Sequence, residues 1–179
     1  MKTITVPSKD QVSADAQAIF EQIEKKMGKV PNLYATIGYS AAALKGFLDF
    51  EESLSHSAFT PKEKEAINLV VSQVNNCDYC LAAHTMLAGL KGFTKDETLF
   101  LRRGISSDTK LTATLQLAKS IAGNKGNAGQ ALISEFFNAG YNEAALIELA
   151  ALITVRTFTN YVYTLTQIPV DFPAAEKLN

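Results

Sequence analysis

Residues 60–85 read TPKEKEAINLVVSQVNNCDYCLAAHT, and their interpretation decides the fold. Thr60 can cap a helix, Pro61 suits the first helical position, and Glu63 stands three residues after the cap, where a capping box places it. The run that follows, INLVVSQV over 67–74, is rich in β-branched residues and would pass as a strand. It directly continues a strong helix start and is not bounded by turn residues on both sides. The one other strand-like run, LITVRTF over 152–158, has the same character, and no further candidates exist to complete a sheet. Both are therefore read as buried helices, and the chain as all-α. Asn75-Asn76 interrupts the first of them, and Asn76 is placed to cap a second helix starting at the cysteines.

Outward from this segment the pattern stays helical. Residues 13–27 carry Ala16, Ile19, Phe20, Ile23 and Met27 at helical spacing, and Gly28 ends the run. Val30-Pro31-Asn32-Leu33 leads to a short helix over Tyr34–Ile37, and Ser40 caps another that passes through Leu54. Thr94 and Glu97 repeat the capping box before a helix ending near Gly104, and Ser107 opens one that runs to Gly123. A Gly/Asn-rich loop over 124–129 precedes a helix from Gln130 to Gly140. Asn142 caps the last long helix, which runs into Ile168-Pro169, and 169–179 reads as an extended arm. The expectation is a single helical domain over 1–179, with N-terminal helices in 1–58, the cysteine-bearing region in 59–105 and a second helical half in 106–168. A faint repeat sets Glu65 on Glu148, Leu69 on Leu152, Cys77 on Asn160, Cys80 on Tyr163 and His84 on Gln167. If it holds, the second copy keeps the scaffold without the chemistry.

Bulk properties narrow the functions. The 179 residues are 47% apolar and 20% charged, with a net charge of −1, which gives no electrostatic case for nucleic acid or anionic lipid. Lys25-Lys26 and Arg102-Arg103 read as solvated helix ends. Apolar stretches are broken well before 18 residues, so no membrane span is indicated, and Met1–Pro7 has neither signal core nor transit pattern. The expectation is a cytoplasmic protein, where a close cysteine pair is more often catalytic or metal-binding than structural.

Both cysteines and one of the two histidines fall within Cys77–His84. At about 100° per residue, Cys77, Cys80 and His84 share one helix face, with Cys80 and His84 one turn apart. Cys77 and Cys80 stand where a disulfide is reachable, in the first turn, where free N–H groups and the helix dipole favour a thiolate. That is the arrangement a reactive dithiol needs: one activated sulfur, a resolving neighbour, and a base within reach. Glu65 lies twelve residues before Cys77. On an unbroken helix it would be about 18 Å away and turned aside, so it joins the site only if the chain reverses at Asn75-Asn76.

Glu65, the CxxCxxxH spacing and the flanking CDYCLAAHT resemble the signature of the alkylhydroperoxidase D-like, carboxymuconolactone decarboxylase superfamily, especially its peroxidase-related members. Val30–Leu33, Tyr39–Ala41, Phe158–Tyr161 and Asp171–Pro173 are similar to that group as well. The resemblance implies an AhpD-like helical fold that assembles as a homotrimer or homohexamer. It implies a thiol-dependent antioxidant peroxidase of peroxiredoxin-type activity, with a redox-active disulfide. By that likeness Cys80 attacks the hydroperoxide, Cys77 resolves the sulfenic acid, and His84 and Glu65 relay protons. A lipoyl- or thioredoxin-type dithiol protein would be the reductant. The chain departs in carrying Tyr79 where better-studied members have a histidine, and Tyr163-Thr164 where relatives read Asn-His.

Rival readings remain. A lactone decarboxylase would use His84 and Glu65 as acid and base, with the thiols incidental. A general disulfide oxidoreductase or a redox sensor would use the dithiol without peroxide. A zinc site from Cys77, Cys80, His84 and His56 has enough ligands, but structural sites usually place the cysteine pair on a turn with the histidines farther along. The aromatic residues Phe47, Phe50, Phe136, Phe137 and Phe158 read as core or subunit contacts. No flavin, haem or nucleotide motif is present, so no cofactor and no metal is expected.

Overall fold

In the computed structural model, which describes residues 3–178, the chain is helical, with no strand among the described residues. After a short 3-10 helix, nine α-helices follow: α1 (Ala14–Met27), α2 (Asn32–Ile37), α3 (Ala41–Ser53), α4 (Pro61–Val74), α5 (Asp78–Leu90), α6 (Lys95–Arg103), α7 (Thr109–Gly123), α8 (Gln130–Asn138) and α9 (Glu143–Thr166). The two strand-like runs lie inside α4 and α9. Ile67, Leu69, Val70 and Val71 are fully buried, so tertiary packing overrides their β propensity. α4 is the central rod, packed on α5, α6, α7 and α9.

The helix starts follow the capping signals. Ser13 and Ser40 accept backbone N–H groups of α1 and α3, and Thr60–Glu63 and Thr94–Glu97 form complete capping boxes. Three expected details are corrected. α2 begins at Asn32 rather than Tyr34. Asp108, not Ser107, caps α7, because its carboxylate accepts from both Lys110 and Leu111 N–H. Arg102 is buried rather than solvated: its Nε donates to Gln73 and its Nη1 to the Glu176 carbonyl, which ties the C-terminal arm to α4 and α6.

The decisive element is the turn between α4 and α5. Asn76 is not the cap of α5; it adopts φ +52°, the left-handed conformation that asparagine tolerates better than most residues. Asn76 N–H bonds to the Gln73 carbonyl and Cys77 N–H to the Ser72 carbonyl, which closes α4 in a Schellman motif. Cys77 is the residue that caps α5, its sulfur accepting the Cys80 N–H at 3.2 Å. One asparagine thus ends α4 and turns the chain back, so that α5 packs along it.

Among the described residues, α9 alone is long and apolar enough, by length and composition, to cross a membrane. Here it packs against α4, α7, α3 and α5 and buries Arg156, Thr159 and Asn160 along with Leu149, Leu152, Ile153 and Val155. The 83-residue register fails where it matters: Asn75-Asn76 falls on Phe158-Thr159, through which α9 runs without a break.

Candidate active site

The reversal brings together two residues that a straight helix would hold apart. His84 Nδ1 lies 2.6 Å from Glu65 Oε2, with both side chains largely buried. Burial is the strongest influence on the Glu65 carboxyl and pushes it up. The His84 ring, Arg156 and a hydrogen bond from Asn68 together outweigh it and leave the group below the usual carboxylate range. For His84, burial and Arg156 press its pKa down harder than Glu65 and Glu51 lift it, so the imidazole is neutral near pH 7. The contact is therefore a neutral Nδ1–H donating to a carboxylate rather than an ion pair. That tautomer leaves Nε2 as the basic nitrogen.

Cys77 and Cys80 are joined as a disulfide, with Cα atoms 5.3 Å apart. Both are buried, at 0% and 2% exposure. Cys80 stands one turn before His84 on the same helix. The four residues singled out in the sequence therefore converge on the α4–α5 hairpin. His56 does not join them; it lies exposed beyond the end of α3.

The hairpin is backed by a polar group that sequence reasoning did not identify. Arg156 of α9 donates from Nε to Asn68 Oδ1 (3.1 Å), from Nη1 to Thr159 Oγ1 (3.2 Å) and from Nη2 to Glu51 Oε1 (3.1 Å). Tyr34 completes the group, its hydroxyl donating to Glu51. Its pKa rises above the ordinary range, chiefly by burial. The sequence did hold a signal: a lone arginine in LITVRTF and a lone asparagine in INLVVSQV, each a polar residue in a run otherwise fit for burial. A cleft of about 250 Å³, walled by Leu54, Pro61, Leu152 and Val155 and edged by Lys64 and Lys91, opens onto Glu65, Asn68 and Arg156.

Tyr79, between the cysteines, serves another purpose. Its hydroxyl accepts the Leu33 N–H at 3.1 Å and donates to Asp171 Oδ1 at 2.5 Å. Its ring meets Phe172 edge-on. Burial works to raise the Asp171 carboxyl, but hydrogen bonds from Lys29 and Tyr79 hold it low. The residue that replaces a histidine in this motif thus ties the VPNL connector and the C-terminal arm to the start of α5.

Residues 41–120, which span α3 to most of α7, match the Carboxymuconolactone decarboxylase family. No curated protein matches the sequence. Among solved structures, an uncharacterized peroxidase-related protein from Silicibacter sp. TM1040 is 22% identical, with 97% of this chain and 93% of that one covered at a TM-score of 0.79. An alkylhydroperoxidase AhpD core protein from Ralstonia eutropha JMP134, also peroxidase-related, is 18% identical, covering 93% and 90% at 0.82.

Over 41–120 the chain resembles the carboxymuconolactone decarboxylase family, and across nearly its whole length it shares the AhpD-like helical fold. The same fold is shared by the debrominase Bmp8, seen with 2,3,4-tribromopyrrole, at 18% identity, 96% and 92% coverage and a TM-score of 0.79. The fold is thus common to proteins described by different chemistries.

Proposed function

We propose that this protein is a dithiol-dependent hydroperoxidase. The observation that carries the reading is the Cys77–Cys80 disulfide on the first turn of α5, one turn from a neutral His84 that is anchored to Glu65. In the reduced protein, His84 Nε2 takes the Cys80 thiol proton. The thiolate attacks the outer peroxide oxygen, the O–O bond breaks, and the alkoxide leaves as an alcohol with that proton. Cys80 becomes a sulfenic acid, Cys77 attacks its sulfur, water leaves, and the disulfide forms. An external dithiol restores both thiols by exchange and is itself oxidised to a disulfide. Cys77, as the helix cap, is stabilised as a thiolate during that exchange.

The natural reductant in this reading is a lipoyl- or thioredoxin-type protein and the substrate an organic hydroperoxide. Self-association, as a homotrimer or homohexamer, is part of the same reading. It is supported by the exposed apolar residues Ile147, Phe158, Tyr161 and Leu165 along α9. The test is hydroperoxide-dependent oxidation of dihydrolipoamide. Saturable turnover that disappears in Cys80→Ser is expected; consumption no faster than buffer would remove peroxide from the account.

A second reading has one observation behind it: the Glu65–His84 couple is complete without the sulfurs, as lactone acid–base chemistry would require. Lactone turnover that survives a Cys77→Ser/Cys80→Ser double change would favour it. The likeness to a debrominase makes bromopyrroles the third substrate to assay in parallel.

A further inference from the structure

We propose that Arg156 is a positioning residue of the Glu65–His84 couple, its guanidinium held by Asn68 beside the carboxylate and supplying the buried positive charge that balances it. The inference rests on reading that couple as the proton relay.

Arg156 is 4% exposed in the middle of α9. Burying a guanidinium there costs far more than its packing returns unless its donors are matched. They are matched in three directions, by Asn68 of α4, Thr159 of its own helix and Glu51 of α3. Asn68 links the cation to the relay. Its Oδ1 accepts from Arg156, it stands three residues after Glu65 on α4, and all three residues line the same cleft. Asn68 thereby anchors the guanidinium beside the carboxylate that in turn holds His84. A lysine could supply the charge, but not three donors in a planar fork.

The charged groups acting on His84 come from three helices: Glu65 on α4, Arg156 on α9 and Glu51 on α3. Tyr34 on α2 is neutral, and Arg102 on α6 is turned to Gln73 and the arm. The two outer groups oppose each other. Arg156 disfavours the imidazolium and Glu51 favours it. This gives paired variants with opposite expected signs, which a purely structural arginine would not produce.

The chain has two histidines, and His56 is exposed, so the titration of His84 can be followed separately by imidazole NMR in the reduced protein. In Arg156→Met its midpoint should rise by about one pH unit. In Glu51→Gln it should fall, and in Arg156→Lys it should stay near the wild-type value. The acid limb of hydroperoxide-driven thiol oxidation should move the same way in each. Should Arg156→Met fail to fold, Glu51→Gln carries the test, with Arg156→Lys as the charge-conserving control. An unmoved midpoint in Glu51→Gln, or in Arg156→Met where it folds, with only stability reduced, would overturn the proposal. Midpoints that move as expected in proteins that consume no hydroperoxide would uphold the positioning role and remove the peroxidase reading instead.

Discussion

The α4–α5 hairpin and α9 are two treatments of similar sequence material. Each begins with a capped start and passes through a buried β-branched run to a polar stretch. In the first, Asn76 enters the left-handed region and the chain folds back, so Glu65 meets His84. In the second, the helix continues for 24 residues and builds no such pairing of its own. The unbroken copy instead supports the broken one. Asn160, in register with Cys77, accepts from Asn75 at 2.8 Å and donates to Ser72 at 3.3 Å, bracing the turn that positions the cysteines. Arg156, one turn earlier, backs the relay. The difference teaches that the site depends less on which residues are present than on one residue whose backbone reverses the helix.

The comparison can be broken most severely at its chemical end. Glu65→Gln keeps the shape but removes the charge that orients His84, and hydroperoxide turnover should fall about a hundredfold, in the usual range for a general-base system. Turnover within a fewfold of wild type would show that the reversal brings Glu65 to His84 without functional consequence. Next in size, Asn160→Ala removes two buried hydrogen bonds at the turn and should cost about 2–3 kcal/mol in urea denaturation. A loss no larger than that of a surface substitution would mean that α9 does not brace the break.

On the opposite side of α5, Tyr79→Phe leaves Leu33 N–H and Asp171 without their phenol partner, at a cost of about 1–2 kcal/mol. The C-terminal arm should become more sensitive to limited proteolysis while the thiol chemistry persists. An equal loss of activity would merge two faces that the structure keeps apart. The mildest effect is on acid stability. Glu65 and His84 both titrate below their ordinary values in the folded protein. As pH falls below the ordinary histidine value of 6.5, the unfolded chain therefore binds protons that the folded one refuses, and stability falls. Urea midpoints should decline on acidification, and less steeply in a Glu65→Gln/His84→Gln variant; parallel declines would deny these two groups that role.

Much of this was legible in the sequence. Capping boxes at Thr60 and Thr94, serine caps at Ser13 and Ser40, and glycine at the end of α1 are local signals with local causes, and they placed most helix boundaries. The helical nature of INLVVSQV followed from having no sheet partner. The proposed catalytic quartet was legible because the spacing puts three members on one face and a single break admits the fourth. The exact turn was harder to read. Asparagine serves equally as an N-cap and as a left-handed C-terminal residue, and only the tertiary path selects the second. Arg156 and Asn68 escaped because a buried polar residue is recognisable as such only once its partner, here on a helix nearly ninety residues away, is in place. Arg102 escaped for the same reason, its partner being an arm with no periodic signal.

The most direct test of the central claim is a free-thiol count before and after one equivalent of cumene hydroperoxide, in the reduced wild type and in Cys77→Ser and Cys80→Ser. Rapid loss of two thiols in the wild type is expected, with a trappable sulfenic acid in Cys77→Ser and none in Cys80→Ser. Thiols that survive minutes of exposure in the wild type would contradict the dithiol peroxidase account.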